Sequence, residues 1–443
     1  MRRPSPRIFA SIVGFTLVMT ILAACGAGAA TTTTTSSGPI TIKIGSEFPT
    51  TGADESAGKP AEDGIALAVQ QANANNFLPG YKFVLVPKND VSAASQTHDA
   101  TVGQQNVTDL DGDAQVAGIV GPLNSSVALT EIPTTNRAPI ALISPANTNN
   151  CLTKNTPTAQ CGGKNDLIPS LRPTGKVTYF RTATLDQYQG AALALYAYKT
   201  LKFKSVYVID DTETYGVGLA QNFSTYWTQL GGTIVGSASA KVTNSYENIL
   251  TQAAAKKPDF IMFGGNDSTG GITIRQQMKS IAGLQNTVIM GGDGFQTTTA
   301  AKDIKPLGGA LVYTSIPGID PSKSPGYSAF FSAYVKAFGA SNFGSYSAGG
   351  YDDANILLQA IKTVINAKTA TAPTSTNADA TAFRQAVIDA VQKIKYVGLT
   401  GTHSFDANGD TTNHFVSLYT IADNVDSGTG WKFLDQIDTS SLK

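Results

Sequence analysis

Five short polar segments, each directly behind an apolar run, carry the side chains best suited to hold a small molecule. Gly121-Pro122-Leu123-Asn124-Ser125-Ser126 follows the run at 116–120, and Ser144-Pro145-Ala146-Asn147-Thr148 follows 140–143. Asp210-Asp211-Thr212-Glu213-Thr214-Tyr215-Gly216 follows 206–209, Gly264-Gly265-Asn266 follows 260–263, and Gly291-Gly292-Asp293-Gly294 follows 288–290. Ser125 and Ser126 open a helical pattern, where free N–H groups and the positive dipole end favour an anion such as a carboxylate. Asp293, flanked by glycines, answers an ammonium. Each residue also has a purely structural use, Ser125 as an N-cap and Asp293 in a turn. What points to a ligand is that several polar tips recur in register across two blocks of chain.

Other chemistry is poorly provided for. There is no G-x-S-x-G elbow, no H-E-x-x-H and no P-loop pattern. The three histidines, His98, His403 and His414, stand in unrelated contexts and read as solvated surface residues. A secreted hydrolase is therefore the weaker reading, and no catalysis, metal or cofactor is expected. Cys151 and Cys161 lack the neighbouring His or acid cluster that a tetrahedral metal site needs. In an exported chain they are expected to form a disulfide closing a surface loop.

The elements that must carry these tips alternate. Strands are predicted at 40–45, 83–87, 116–120 and 139–144, with helices at 60–76, 96–110 and 125–136 between them. Pro60 is expected in the first turn of its helix, where it is tolerated. The pattern restarts with strands at 205–210, 233–236, 259–263, 287–290 and 310–314, and helices at 216–230, 246–255 and 272–281. Helices at 325–338, 347–365 and 380–395 follow, with a loop at 368–379, and strands at Phe405 and 415–421 close the chain. Strands alternating with helices imply parallel βαβ units covered on both faces, and such sheets bind ligands beyond their carboxyl ends. The fold class expected is α/β in two lobes, each a parallel sheet flanked by helices.

The N-terminus reads as an address, not as fold. Arg2, Arg3 and Arg7 precede an apolar run and then Leu22-Ala23-Ala24-Cys25-Gly26, the form of a secretory signal. A membrane-spanning helix needs about 20 apolar residues, and residues 8–24 supply 17. L-A-A-C-G resembles a bacterial lipobox, which implies lipidation of Cys25 after removal of 1–24, with 25–39 as a flexible tether. The whole chain holds 32 basic and 32 acidic residues. That balance argues against a nucleic-acid surface, which needs a clustered basic field.

These residues resemble the type I periplasmic-binding proteins, in particular the leucine/isoleucine/valine-binding receptors of ABC importers. The marks are I-K-I-G at Ile42, T-G at Thr51, A-x-x-G-I-x-L-A-V from Ala61, G-P-L-N-S-S at Gly121 and I-S-P-A-N-T at Ile143. Further on stand F-R-T at Phe180, D-x-x-x-Y-G-x-G-L-A at Asp211, D-F-I-M-F-G-G at Asp259, G-x-D-G at Gly291, Y-D-D-A at Tyr351 and G-x-x-x-F-D-x-x-G-D at Gly401. The resemblance spans nearly all of 40–434. It implies three crossovers, with lobe one at 40–181 and 315–398 and lobe two at 182–314 and 399–443. It also implies that Ser125 bonds a ligand carboxylate, Ala146 (through its backbone) and Thr148 hold carboxylate and amine, and Asp293 receives the α-ammonium. Tyr215 would close over the ligand and Leu123 would wall its side chain. Two departures stand out: Ala57 where a large aromatic is common, and Asn266 where branched-chain binders have Tyr. Both imply a roomier, more polar pocket. The expected partners are a small amino acid or similar carboxylate, an ABC permease and ATPase, and the outer face of the cytoplasmic membrane through the lipid, with a periplasmic location as the alternative. The protein is expected to be a monomer. A ligand-sensing receptor subunit, or a binder of an amide, aromatic acid or other small solute, remains the alternative.

Overall fold

Runs such as VAGIV and FIMFG lack polar alternation, which suits strands covered on both faces. In the computed structural model, which describes residues 38–156, 161, 166–374, 379–422 and 429–442, both are fully buried strands at the middle of separate sheets. The segment read as a leader, Cys25 and the tether as far as residue 37 lie outside the described residues.

The first sheet holds β1 (Ile40–Glu47), β2 (Tyr81–Lys88), β3 (Val116–Val120), β4 (Ala141–Ser144) and β5 (Tyr179–Arg181), all parallel in the order β2-β1-β3-β4-β5. The second repeats that order with β6 (Ser205–Asp210), β7 (Thr233–Ser239), β8 (Phe260–Gly264), β9 (Val288–Gly291) and β10 (Val312–Pro317), arranged β7-β6-β8-β9-β10. A small ribbon, β11 (Tyr396–Val397) with β12 (Thr402–His403), comes next in the chain. Then β13 (Phe415–Ile421) and β14 (Trp431–Asp438) extend the second sheet beside β10. Each of these two runs antiparallel to its neighbour, unlike the purely parallel sheet expected.

Helices α1 (Glu55–Ala74), α2 (Ala100–Gly112), α3 (Ser125–Arg137) and α4 (Ile168–Leu171) accompany the first sheet. The second has α5 (Asp186–Leu195), α6 (Thr214–Gln229), α7 (Glu247–Lys256), α8 (Ile272–Met278) and α9 (Thr298–Ile304). The chain then returns, and α10 (Tyr327–Phe338), α11 (Ser347–Asn366) and α12 (Thr381–Gln392) pack in the first lobe, α11 lying along α1. Each sheet is covered on both faces by apolar residues, Ile44, Ile65 and Leu357 with Ile119 and Ile132 in the first lobe, Ile261 and Phe295 with Phe223 and Met262 in the second.

Several details depart from the sequence reading. α1 begins at Glu55, so Pro60 lies inside the helix, where it forgoes one ladder hydrogen bond. β10 stays in the second sheet to Pro317, past the expected switch at 314/315. Phe405 is no strand; it makes an isolated bridge to Thr411 and packs in the first lobe on Phe180, ring centroids 5.1 Å apart. The last crossover therefore comes later than 398/399.

Two of the three crossovers are clamped together. Arg181, at the end of β5 and fully buried, bonds Asp410 at 2.7 Å and the carbonyl of Asn149 at 2.7 Å. Its own N–H donates to the Gly409 carbonyl at 3.1 Å. A buried guanidinium needs such full pairing, because an unpaired buried charge is strongly destabilising.

Candidate ligand site between the lobes

The carboxyl ends of both sheets meet at one small, partly open cavity of about 20 Å³. Asp54, Ala57, Leu123, Asn124, Ser125, Ala146 and Tyr346 line it from the first lobe, and Tyr215, Asn266, Asp267, Asp293 and Gly294 from the second. A larger and mostly apolar space beside the crossovers, lined by Tyr327, Phe343, Tyr419 and Phe433 among others, shares none of these residues. The smaller one has the convergent polar groups.

Backbone geometry sets the first-lobe wall. Gly121 has φ +138°, and a Cβ there would stand 2.2 Å from the Glu47 carbonyl oxygen, so only glycine lets the chain leave β3 this close to β1. Three residues on, Asn124 caps α3 without a side-chain bond to its first turn. Of the residues that open that turn, whose N–H groups have no intrahelical partner, Asn124 and Ser125 stand on the cavity wall.

The second-lobe wall centres on Asp293. One carboxylate oxygen accepts from Gln189 Nε2 at 2.9 Å and the Tyr215 hydroxyl at 2.8 Å, and the other accepts from the Tyr346 hydroxyl at 2.8 Å. Tyr346 belongs to the opposite lobe, so this acid bridges the cleft. Burial raises its pKa, and the three donors hold the rise in check. Asp267, at the tip of the adjacent strand, is fully buried. Its oxygens accept from the Thr297 hydroxyl at 2.5 Å and the Ser268 N–H at 2.9 Å. Burial lifts it to about 7, with the Thr297 bond opposing and the Asp54 charge adding to the rise.

Asp54 forms a second bridge. Its Oδ2 pairs with His98 Nδ1 at 2.8 Å, and its Oδ1 accepts from Ser268 Oγ of the other lobe at 2.5 Å. Burial opposes charge on both partners, but their mutual attraction outweighs it: Asp54 is lowered and His98 raised, with Glu213 and Asp211 of the second lobe reinforcing His98. His98 is thus a buried ion-pair member and not a solvated residue. His403 is likewise fully buried, and burial pulls it down to about 4. His414 is half-buried and stacked on Tyr188 at 4.5 Å.

Of the residues singled out in the sequence, Leu123, Ser125, Ala146, Tyr215, Asn266 and Asp293 meet at the cavity. Thr148 does not line it. This residue is buried beside the start of α5, its hydroxyl facing the Asp186 carboxyl and its carbonyl accepting the Asp186 N–H at 2.8 Å. The Ala146 N–H is already engaged with Ser144 Oγ at 3.2 Å. Sequence reasoning missed Asp54, Asn124, Asp267, Gly294 and Tyr346. Asn124 and Gly294 stood inside quoted motifs, and Asp267 lies one residue past Asn266. Tyr346 offers no local signal, because only the return of the chain to the first lobe brings it in. Cys151 and Cys161 are joined by a disulfide with Cα atoms 5.6 Å apart, and both cysteines are buried. Among the described residues, no group of three or more His, Cys, Asp or Glu is placed to hold a metal ion, and no helix is long and apolar enough to cross a membrane.

The chain resembles known proteins over most of its length. It is 28% identical to the Leu/Ile/Val-binding protein BraC3 of Rhizobium johnstonii over 285 residues, which is 64% of this chain and 69% of that protein. Its fold superposes on a leucine binding protein, LivK, from Thermotoga maritima with a TM-score of 0.70 at 22% identity, covering 90% of this chain and 100% of that one. An ABC transporter solute binding protein of R. palustris, solved in complex with 4-hydroxybenzoate, gives 0.69 at 16% identity, covering 90% and 97%. The model of one family, described as periplasmic binding protein, matches residues 41–428. That match covers both lobes and all three crossovers, and the chain accordingly belongs to the periplasmic binding protein family, in its two-lobed type I form.

Proposed function

We propose that this chain is the exported, lipid-anchored solute-binding component of an ABC importer, capturing an α-amino acid or similar small carboxylate without transforming it. The observation that carries this reading is the pairing across one cavity of an uncapped helix start at Ser125 with the acid Asp293. An α-amino acid has one anionic and one cationic group on a single carbon, and the two walls offer one partner for each. Leu123, Ala57 and Ala146 would wall the side chain, and Tyr215 would cover it. Because the two walls belong to different lobes, a ligand touching both has its full affinity only for the closed form, and that difference drives closure. The family is one of solute-binding proteins, and relatives named for leucine, isoleucine and valine favour an amino acid. A second reading, an aromatic acid, draws on the 4-hydroxybenzoate complex and on Tyr215 and Tyr346 at the cavity.

Titration calorimetry on the chain from residue 39 onward separates the two. At least one α-amino acid is expected to bind, whereas binding of benzoate or 4-hydroxybenzoate with no amino acid binding would establish the second reading. Anchoring and transport are tested together in cells. Cys25→Ala is expected to shift the chain from the membrane to the soluble fraction and to impair uptake of the ligand. Unchanged membrane association would remove the lipid anchor, and unchanged uptake on deleting the chain would favour a sensor subunit. A monomer on size-exclusion chromatography is expected.

A further inference from the structure

The cavity has more carboxyl groups on its wall than one α-ammonium can pair with. Three carboxyl groups line it, Asp54, Asp267 and Asp293, and no Lys, Arg or His is among its lining residues. Asp54 has its counter-charge behind the wall in His98, 2.8 Å away. Asp293 and Asp267 have none: their partners are the neutral hydroxyls and amides of Tyr215, Tyr346, Gln189, Thr297 and the Ser268 backbone. The two acids follow β8 and β9, which are hydrogen-bonded neighbours in the sheet. Both acids therefore come from the tips of neighbouring strands and line the second-lobe wall, with Ser125 on the wall of the other lobe. Buried acids of this kind are stable only when hydrogen-bonded or matched by charge. Each carboxylate oxygen has two acceptor sites, and among the described residues neither oxygen of Asp267 accepts more than one bond. The neighbouring Asn266 adds an amide to the same stretch of wall.

We propose that Asp267 is the specificity-determining residue for the ligand's side chain, and that the site takes α-amino acids whose side chain ends in N–H donors, basic or amide, in preference to the aliphatic ones. This rests on the amino-acid reading above, with Asp293 taking the α-ammonium and Asp267 the second donor group. An aliphatic side chain would leave the remaining acceptor sites of the Asp267 carboxyl buried against methyl groups, without water or a further donor. That is the kind of mismatch by which polar pockets reject apolar analogues.

The proposal predicts a proton signature as well as a preference. Burial holds the Asp267 proton to about 7 in the empty site. A cationic side chain arriving there favours the carboxylate, so its binding near pH 7 should release protons, and leucine's should not.

The experiment is titration calorimetry of the chain from residue 39 onward with leucine, valine, glutamine, ornithine, lysine and arginine, repeated in two buffers of different ionisation enthalpy. At least one N–H-bearing amino acid should bind tenfold or more tightly than leucine. Asp267→Asn should cut that advantage over leucine to threefold or less. The buffer comparison uses the native protein, so it answers even where the variant fails to fold. Leucine or valine binding tightest, an equal loss for every ligand in Asp267→Asn, or a basic ligand that binds tightest without releasing protons each overturns the proposal. Binding by none of the amino acids would instead overturn the amino-acid reading beneath it.

Discussion

Ser268 and Asp54 make one of the few bonds that join the lobes across the mouth of the site, and the bond ends on a charged carboxylate. A hydrogen bond to a charged group contributes about 1.5–3 kcal/mol when buried. In an open form water replaces part of that, leaving roughly 0.5–1.5 kcal/mol specific to closure. Ser268→Ala is therefore expected to speed ligand release about three- to tenfold, with little change in unfolding temperature. Stopped-flow dissociation of the ligand measures this directly, and an unchanged off-rate would show that the bond forms equally in both states. The neighbouring acid Asp293 differs in kind. Its bond to Tyr346 crosses the lobes too, but the same carboxylate faces the ligand, so its substitution mixes closure with recognition.

Elements differ in how far the sequence announces them. β3, β4, β8 and β9 were legible because central parallel strands are unbroken apolar runs. The cavity wall at Ser125 and Asp293 was legible for the same reason, since tips follow such runs. α5 was missed because it is buried nearly all round, Gln189 to Ala194 without a break, and so lacks an amphipathic period. β14 was missed as an edge strand whose positions waver between half-buried and exposed. The resemblance assigns Thr148 to the ligand with its neighbours, yet the turn after β4 puts it beside the start of α5, where its carbonyl accepts the Asp186 N–H. His403 is buried beside the nearby Thr400 and Thr411, whereas the reading of His98 as a surface residue fails on a partner far away in the chain, Asp54, 44 residues before it. Long-range pairing of this sort leaves no trace in local spacing.

At the scale of the whole molecule, the first lobe buries three acids close together behind the site: Glu47, Asp90 and Glu131. Burial lifts Glu47 to about 7, against the restraint of bonds from Glu131 and Asn106; burial and the Glu47 charge lift Glu131 and Asp90 well above the carboxylate range. Each folded carboxyl keeps a proton that the unfolded chain gives up at an ordinary pKa near 4, so their contribution is complete below that value and is lost as pH climbs through the raised one. His98, also raised, acts in the same direction above its ordinary value of 6.5. His403, held down near 4, acts oppositely as pH falls below 6.5, but it is one group against several. The unfolding temperature should fall by several degrees from pH 5.5 to 8, and Glu131→Gln should flatten the slope. A rise across that window in calorimetry would contradict the assignment. The crossovers have a consequence of another sort, in time. Neither core is built from a continuous stretch: one needs Val391 and Phe405, the other Ile421 and Trp431. A polypeptide emerging N-terminus first cannot seal either half until almost its whole length is free. It must travel unpacked for most of its synthesis, a state suited to threading through a translocation pore and dependent on chaperones to keep the apolar strands apart.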